Sequence, residues 1–277
     1  MVLSLQIVVA EPMVLDGGSD GKAKKAPTKK GKKLNLEGQV LITMTVKNVS
    51  KKFIKSFMNV TSRKSIKPIT PTPHNLRTHK LSFIDEVIPT MNAATILYYP
   101  FNDNIRRVIN LENSLARVLP KFYPFAGRYI KENQLVDCGD QGAEFVEAQV
   151  DCKPHEIIGS DDLNDLLPVE VGAADDVTDP IMSIQINKFK CGGVAIATCI
   201  SHRIADAATL DIFLSAWAKA SRGDNGEPIT PNFDSSLYFP GQNVGTPDFG
   251  IMRTRNPTVV TKRILFDSLA IATLRES

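Results

Sequence analysis

Residues 191–223, CGGVAIATCISHRIADAATLDIFLSAWAKASRG, constrain the fold more than any other stretch. The run 194–200 is unbroken, small and β-branched, which predicts a strand covered on both faces. Leu210, Phe213, Leu214 and Trp217 then recur at i, i+3, i+4 and i+7, the apolar stripe of an amphipathic helix. Arg222 falls in its last turn, and Gly223 stands where a left-handed residue would end it. Between strand and helix lies a short polar elbow carrying His202 and Asp206. Such a junction joins a rigid scaffold to an accessible side chain, which makes the elbow the first candidate site.

Other segments read as parts of one mixed α/β layer. Helical spacing over 105–119 (Ile105, Val108, Ile109, Leu111, Leu115, Val118, Leu119) predicts a second amphipathic helix that Pro120 helps to end. Residues 65–73, SIKPITPTP, are extended because each proline disfavours helix for itself and for its predecessor. Residues 81–88 read as a strand or loop and 95–99 as a short buried strand. Residues 122–128, FYPFAGR, read as an aromatic turn. Residues 134–138 and 143–150 read as two strands of a hairpin turning at Gly139-Asp-Gln-Gly142. In 181–189, Ile184 and Ile186 alternate with Gln185 and Asn187, as in a half-buried strand that turns through 190–193 into the central one. Residues 163–167 suggest a helical turn, 259–266 a strand, and 268–275 the start of a helix.

Charge divides the chain. Residues 1–57 hold eleven lysines and four acids, a charge of +7, while the whole chain carries +3, leaving −4 on the rest. Residues 16–33 are rich in glycine and lysine with little to bury, which predicts disorder. No aromatic residues interleave with the lysines to stack on bases, so a solvated tail is favoured over a nucleic-acid arm. No run approaches the ~20 apolar residues that span a bilayer. The apolar opening, MVLSLQIVVA, lacks a basic segment before it and is interrupted by Glu11 and Pro12, so no secretory signal is read. Cys138, Cys152, Cys191 and Cys199 show no paired spacing, which points to reduced thiols and a cytoplasmic protein.

A bare His-x-x-x-Asp pattern is weak in a chain with four histidines. Zinc needs three or four ligands, and neither Cys199 nor His155 forms a recognisable ligand pair with His202, so no metal is expected. A serine hydrolase would want a G-x-S-x-G elbow, and the sequence has none.

The surrounding blocks are more informative. In order they are Ser62-Arg-Lys64 with Ile66-Lys-Pro68 and Pro71-Thr-Pro73, Leu81-Ser82 with Asp85, and Leu115 with Val118-Leu119 and Phe122 through Arg128. Val136-Asp-Cys138, Gly142 through Ala148, Cys191-Gly-Gly193, Ser201 through Asp206 and Ala216-Trp-Ala218 follow. From about Met58 to Ser277 the chain resembles the BAHD family of plant acyl-CoA-dependent acyltransferases, in its vinorine-synthase-like subgroup.

The resemblance implies an α/β fold with a chloramphenicol-acetyltransferase-like mixed sheet flanked by helices. It would be the first domain of a two-domain enzyme plus a stub of the second. The expected divisions are a basic, largely disordered extension over 1–57, the acyltransferase domain over 58–230, a crossover linker over 231–257 and the start of the second domain over 258–277. His202 would be the general base that takes a proton from an acceptor hydroxyl or amine of a plant specialised metabolite, such as an alkaloid or terpenoid. The co-substrate would be acetyl-CoA or another acyl-CoA. Asp206 would support the site, paired with an arginine of the second domain. The residues that bind CoA would lie mostly in that domain, together with a DFGWG motif. Asp248-Phe-Gly250 is followed by Ile-Met and precedes the 259–266 strand, so it is not that motif. The glycine usual after the aspartate is Ala207 here, which helical backbone accommodates. Family members are monomers, and an uncovered domain interface would favour association. The alternative is a catalytically inactive fragment or interaction protein.

Overall fold

A computed structural model of the chain describes residues 5–9, 40–47, 57–88, 90–99, 110–152, 163–169, 176–224, 230–244 and 260–266. Its strands are β1 (Leu5–Val9), β2 (Val40–Lys47), β3 (Met58–Ile66), β4 (Thr78–Lys80), β5 (Asn92–Tyr99) and β6 (Arg128–Ile130). They continue with β7 (Leu135–Asp137), β8 (Ala143–Val150), β9 (Met182–Phe189), β10 (Val194–Ser201) and β11 (Val260–Phe266). The helices are α1 (Phe83–Val87), α2 (Leu111–Val118), α3 (Ala207–Arg222) and α4 (Ser235–Tyr238).

The central strand β10 is buried at all eight positions. It lies between β9 and β5 in a five-stranded sheet ordered β3-β8-β9-β10-β5, antiparallel throughout except for the parallel pair β8 and β9. Alternation sends Val194, Ile196 and Ile200 to one face and Ala195, Ala197 and Cys199 to the other. On the first face, Phe122, Phe125, Phe213 and Trp217 complete the larger core. Each large side chain buried there contributes roughly 1.5–3 kcal/mol. On the second face the small residues lie against Leu166 and Leu167, beside a short 3-10 turn over Leu163–Leu166. The stripe predicted for α3 is the buried one: Leu210, Phe213 and Trp217. The helix ends at Gly223, whose φ of 72° is left-handed.

Three expectations need correction. First, β7 and β8 do not form a hairpin. β7 pairs with β4 and β6, whereas β8 pairs with β3 and β9. The connection between them is committed elsewhere: the Asp140 carboxylate accepts from Thr72 N and Oγ1 at 2.9 and 2.6 Å, and Gly142 N donates to Ala126 O at 2.8 Å. Gly142 sits at φ 98°, and a Cβ there would lie 2.3 Å from Ser65 Oγ. Second, β9 is buried on both faces. Gln185 Nε2 and Asn187 Nδ2 both donate to Leu166 O, at 3.1 and 3.0 Å, so their polar groups are satisfied without solvent. Third, residues 83–87 are helical, started by a reciprocal capping box between Ser82 and Asp85.

Residues 1–57 contribute the first two strands. β1 and β2 pair antiparallel, and β2 pairs antiparallel with β11, which comes from the far end of the chain. Alternating and β-branched residues over Val40–Lys47 suit such pairing. The lysine-rich 16–33, the first turn of the 105–119 helix, Asp248 to Gly250 and the 268–275 helix lie outside the described residues. Among the described residues no helix is long and apolar enough to cross a membrane.

Candidate active site

The elbow between β10 and α3 is built around one carbonyl. Ile204 N and Ala205 N both donate to Ser201 O, at 3.0 and 3.1 Å, which turns the chain sharply at the end of the sheet. Ser201 N donates to Ile181 O at 2.8 Å, and His202 N donates to Met91 O at 2.8 Å. The His202 backbone is therefore fixed from two sides, by β10 and by the segment leading into β5.

Side chains in the elbow alternate in depth. Arg203 and Ala205 are buried, His202 and Ile204 are partly exposed, and Asp206 is exposed. In the His202 ring, Nδ1 is buried and has no hydrogen-bond partner among the described residues. A neutral imidazole held this way accepts a proton at Nε2 when Nδ1 carries the ring hydrogen.

Asp206 is the N-cap of α3. Its Oδ1 accepts from Thr209 N at 2.8 Å and from Thr209 Oγ1 at 2.7 Å. Those bonds hold its carboxyl below the usual aspartate range, with a smaller contribution from the charge of His202. The sequence placed His202 and Asp206 at one elbow, and in the structure the Asp206 carboxylate caps α3. Asp206 faces the helix backbone. Ala207 is the first helical residue, so the missing glycine is not required there.

Arg203 was not anticipated. It is 1% exposed, and its Nη1 donates to Tyr129 Oη at 3.1 Å and to Gln134 Oε1 at 3.0 Å. The guanidinium also lies over the Tyr129 ring, 5.3 Å from the centroid, in a cation–π arrangement. It thereby ties the elbow to the small β4-β7-β6 sheet. No periodicity marks a buried arginine, and a charge after a strand reads as surface.

Other reactive groups are unsuited to nucleophilic chemistry or lie elsewhere. Burial pushes the Cys138 and Cys199 thiols up to about 12, which leaves almost no thiolate. None of the four cysteines is in a disulfide. Among the described residues no cluster of three or more His, Cys, Asp or Glu side chains is placed to hold a metal. A cleft between α2 and the sheet is lined by Leu111, Phe145, Ile186 and Val194. Val194 begins the strand that Ser201 ends, so His202 stands roughly 25 Å away along β10.

This architecture, a mixed sheet with a histidine elbow between its central strand and a packed helix, is that of a chloramphenicol-acetyltransferase-like domain. A model of the Transferase family matches residues 57–276, and the chain belongs to that family, the BAHD acyltransferases. It is 40% identical over 225 residues to pelargonidin 3-O-(6-caffeoylglucoside) 5-O-(6-O-malonylglucoside) 4'''-malonyltransferase of Salvia splendens, covering 78% of this chain and 52% of that one. It is 38% identical over 235 residues to stemmadenine O-acetyltransferase of Catharanthus roseus, covering 79% and 54%. The crystal structure of vinorine synthase superposes with a TM-score of 0.68 at 36% identity, covering 79% of this chain and 55% of that one. The chain thus spans about half the length of the relatives it matches.

Proposed function

We propose that the protein transfers an acyl group, in the first instance acetyl, from acyl-CoA to a hydroxyl or amine of a plant specialised metabolite. His202 is the general base. The observation that carries this reading is the elbow itself: the His202 backbone is fixed by Met91, and its side chain is partly exposed at the end of the central strand with Nδ1 buried. The acceptor gives its proton to Nε2 as its oxygen or nitrogen attacks the thioester carbonyl carbon. The tetrahedral intermediate collapses, the C–S bond breaks, and the imidazolium returns the proton to the departing CoA sulfur. No acyl-enzyme is needed, and the high pKa of Cys138 and Cys199 supports a direct transfer. Asp206 acts as a support, holding the start of α3 and with it the shape of the elbow. Alkaloid and terpenoid acceptors are suggested by relatives such as stemmadenine O-acetyltransferase and a limonoid 21-O-acetyltransferase of Melia azedarach. Cysteines outside any disulfide support a reducing, cytoplasmic setting.

A second reading is that the chain is catalytically inactive or serves as an interaction protein. A thiol-release assay with acetyl-CoA, run with and without a pool of hydroxylated alkaloids and terpenoids, separates the two. Acceptor-dependent release supports the transferase. Release that does not respond to any acceptor supports the second reading.

A further inference from the structure

Glu86 is 1% exposed, in a five-residue helix far from the elbow in sequence. Buried carboxylates are rare unless something satisfies their charge. No Lys, Arg or His among the described residues forms a salt bridge with it. Its partners are backbone amides from the other end of the chain: Gln242 N at 3.0 Å and Val244 N at 3.4 Å, both donating to Oε2. Its other oxygen lies where residue 241 passes, and a Cβ on Gly241 would meet Oε1 at 2.4 Å. A side chain at position 241 would therefore require the carboxylate to shift.

These contacts belong to a longer seam. Phe83 N donates to Phe239 O at 2.9 Å, and Ser82 and Pro240 form an antiparallel bridge. Upstream, the Phe233 ring packs edge-on against His79, Tyr123 and Phe125, at 5.8, 5.3 and 6.4 Å between centroids. Residues 233–244 therefore run as a strap fastened along α1 and its neighbours. A few residues beyond α1 is Met91, whose carbonyl holds the His202 backbone.

We infer that Glu86 is a positioning residue that locks this strap. Its buried carboxylate gathers the amides of Gln242 and Val244 and so fixes where the chain leaves the domain, from the same segment that fixes His202. The structural part of this inference stands by itself, and its effect on turnover rests on the function proposed above.

The test is amide hydrogen exchange on the whole chain. In the wild type, Gln242 and Val244 should be protected. Glu86→Ala should raise their exchange at least tenfold, and Gly241→Ala, which crowds the carboxylate from the opposite side, should do the same. Glu86→Gln keeps an acceptor oxygen and should restore most of the protection. Amides of β10 should be unchanged in all three. If Glu86→Ala also exposes β10, Gly241→Ala and Glu86→Gln decide the matter. Unchanged protection of Gln242 and Val244 in Gly241→Ala, or no difference between Gln and Ala at position 86, overturns the inference. Where acceptor-dependent turnover is present, Glu86→Ala should lower kcat with Glu86→Gln rescuing it, and a turnover change without rescue counts against a positioning role. Failure of the His202 reading would leave the exchange result standing, so the two are distinguishable.

Discussion

Asp206 shows how one residue of a motif is put to backbone work. Replacing it with Ala removes the cap of α3 and should cost about 1 kcal/mol, while Asn should keep most of that. Urea denaturation of the two variants checks this. Its folded pKa lies below the unfolded value of 3.8, so its contribution is present above pH 3.8 and lost as pH falls through the folded value. The difference between wild type and Asp206→Asn should accordingly shrink only in strong acid. His79 behaves similarly at higher pH. Burial beneath Phe233 lowers its pKa from 6.5, outweighing the opposing pull of Asp85. The unfolded chain then binds a proton that the folded chain refuses, so stability declines as pH drops below 6.5. His79→Gln should flatten the stability profile between that pH and the folded value, measured as the wild-type-minus-variant difference. A difference that stays constant with pH would refute the assignment.

The elements that position the elbow rest on contacts between distant segments. Trp217 on α3 donates through Nε1 to Leu111 O and to Ser114 Oγ, each at 3.0 Å, and so pins α3 to α2. Trp217→Phe keeps most of the apolar area but leaves a buried hydroxyl without that donor. It should cost roughly 1–3 kcal/mol, read from the shift in urea midpoint at unchanged m-value. The sequence made β10, α3 and their terminator legible because each follows a single period, continuous burial or the helical stripe. It misled where pairing is decided by distant groups. Gly139-Asp-Gln-Gly142 looks like a hairpin turn, yet Asp140 is claimed by Thr72 and Gly142 by Ala126. Gln185 and Asn187 look solvent-facing, yet the Leu166 carbonyl satisfies them in the core. The helix α1 had a readable sign in the Ser82-to-Asp85 capping spacing. Arg203 had none, because its burial depends on Tyr129, on another sheet, and on Gln134, just before β7.

At the scale of the whole molecule, the chain belongs to the BAHD acyltransferase family and spans about half the length of the relatives it matches. The strap over 233–244 and the fixed elbow share one support, the segment from Ser82 to Met91. That arrangement makes the placement of His202 and the course of residues 233–244 consequences of the same packing. The central proposal is that His202 is the base. The most direct measurement is acceptor-dependent CoA release from acetyl-CoA by the wild-type protein and by His202→Ala, with folding of both verified by β10 amide protection. The prediction is a loss of at least about 100-fold in the variant, the range expected when a general base is removed. Equal acceptor-dependent release by the two proteins would contradict it.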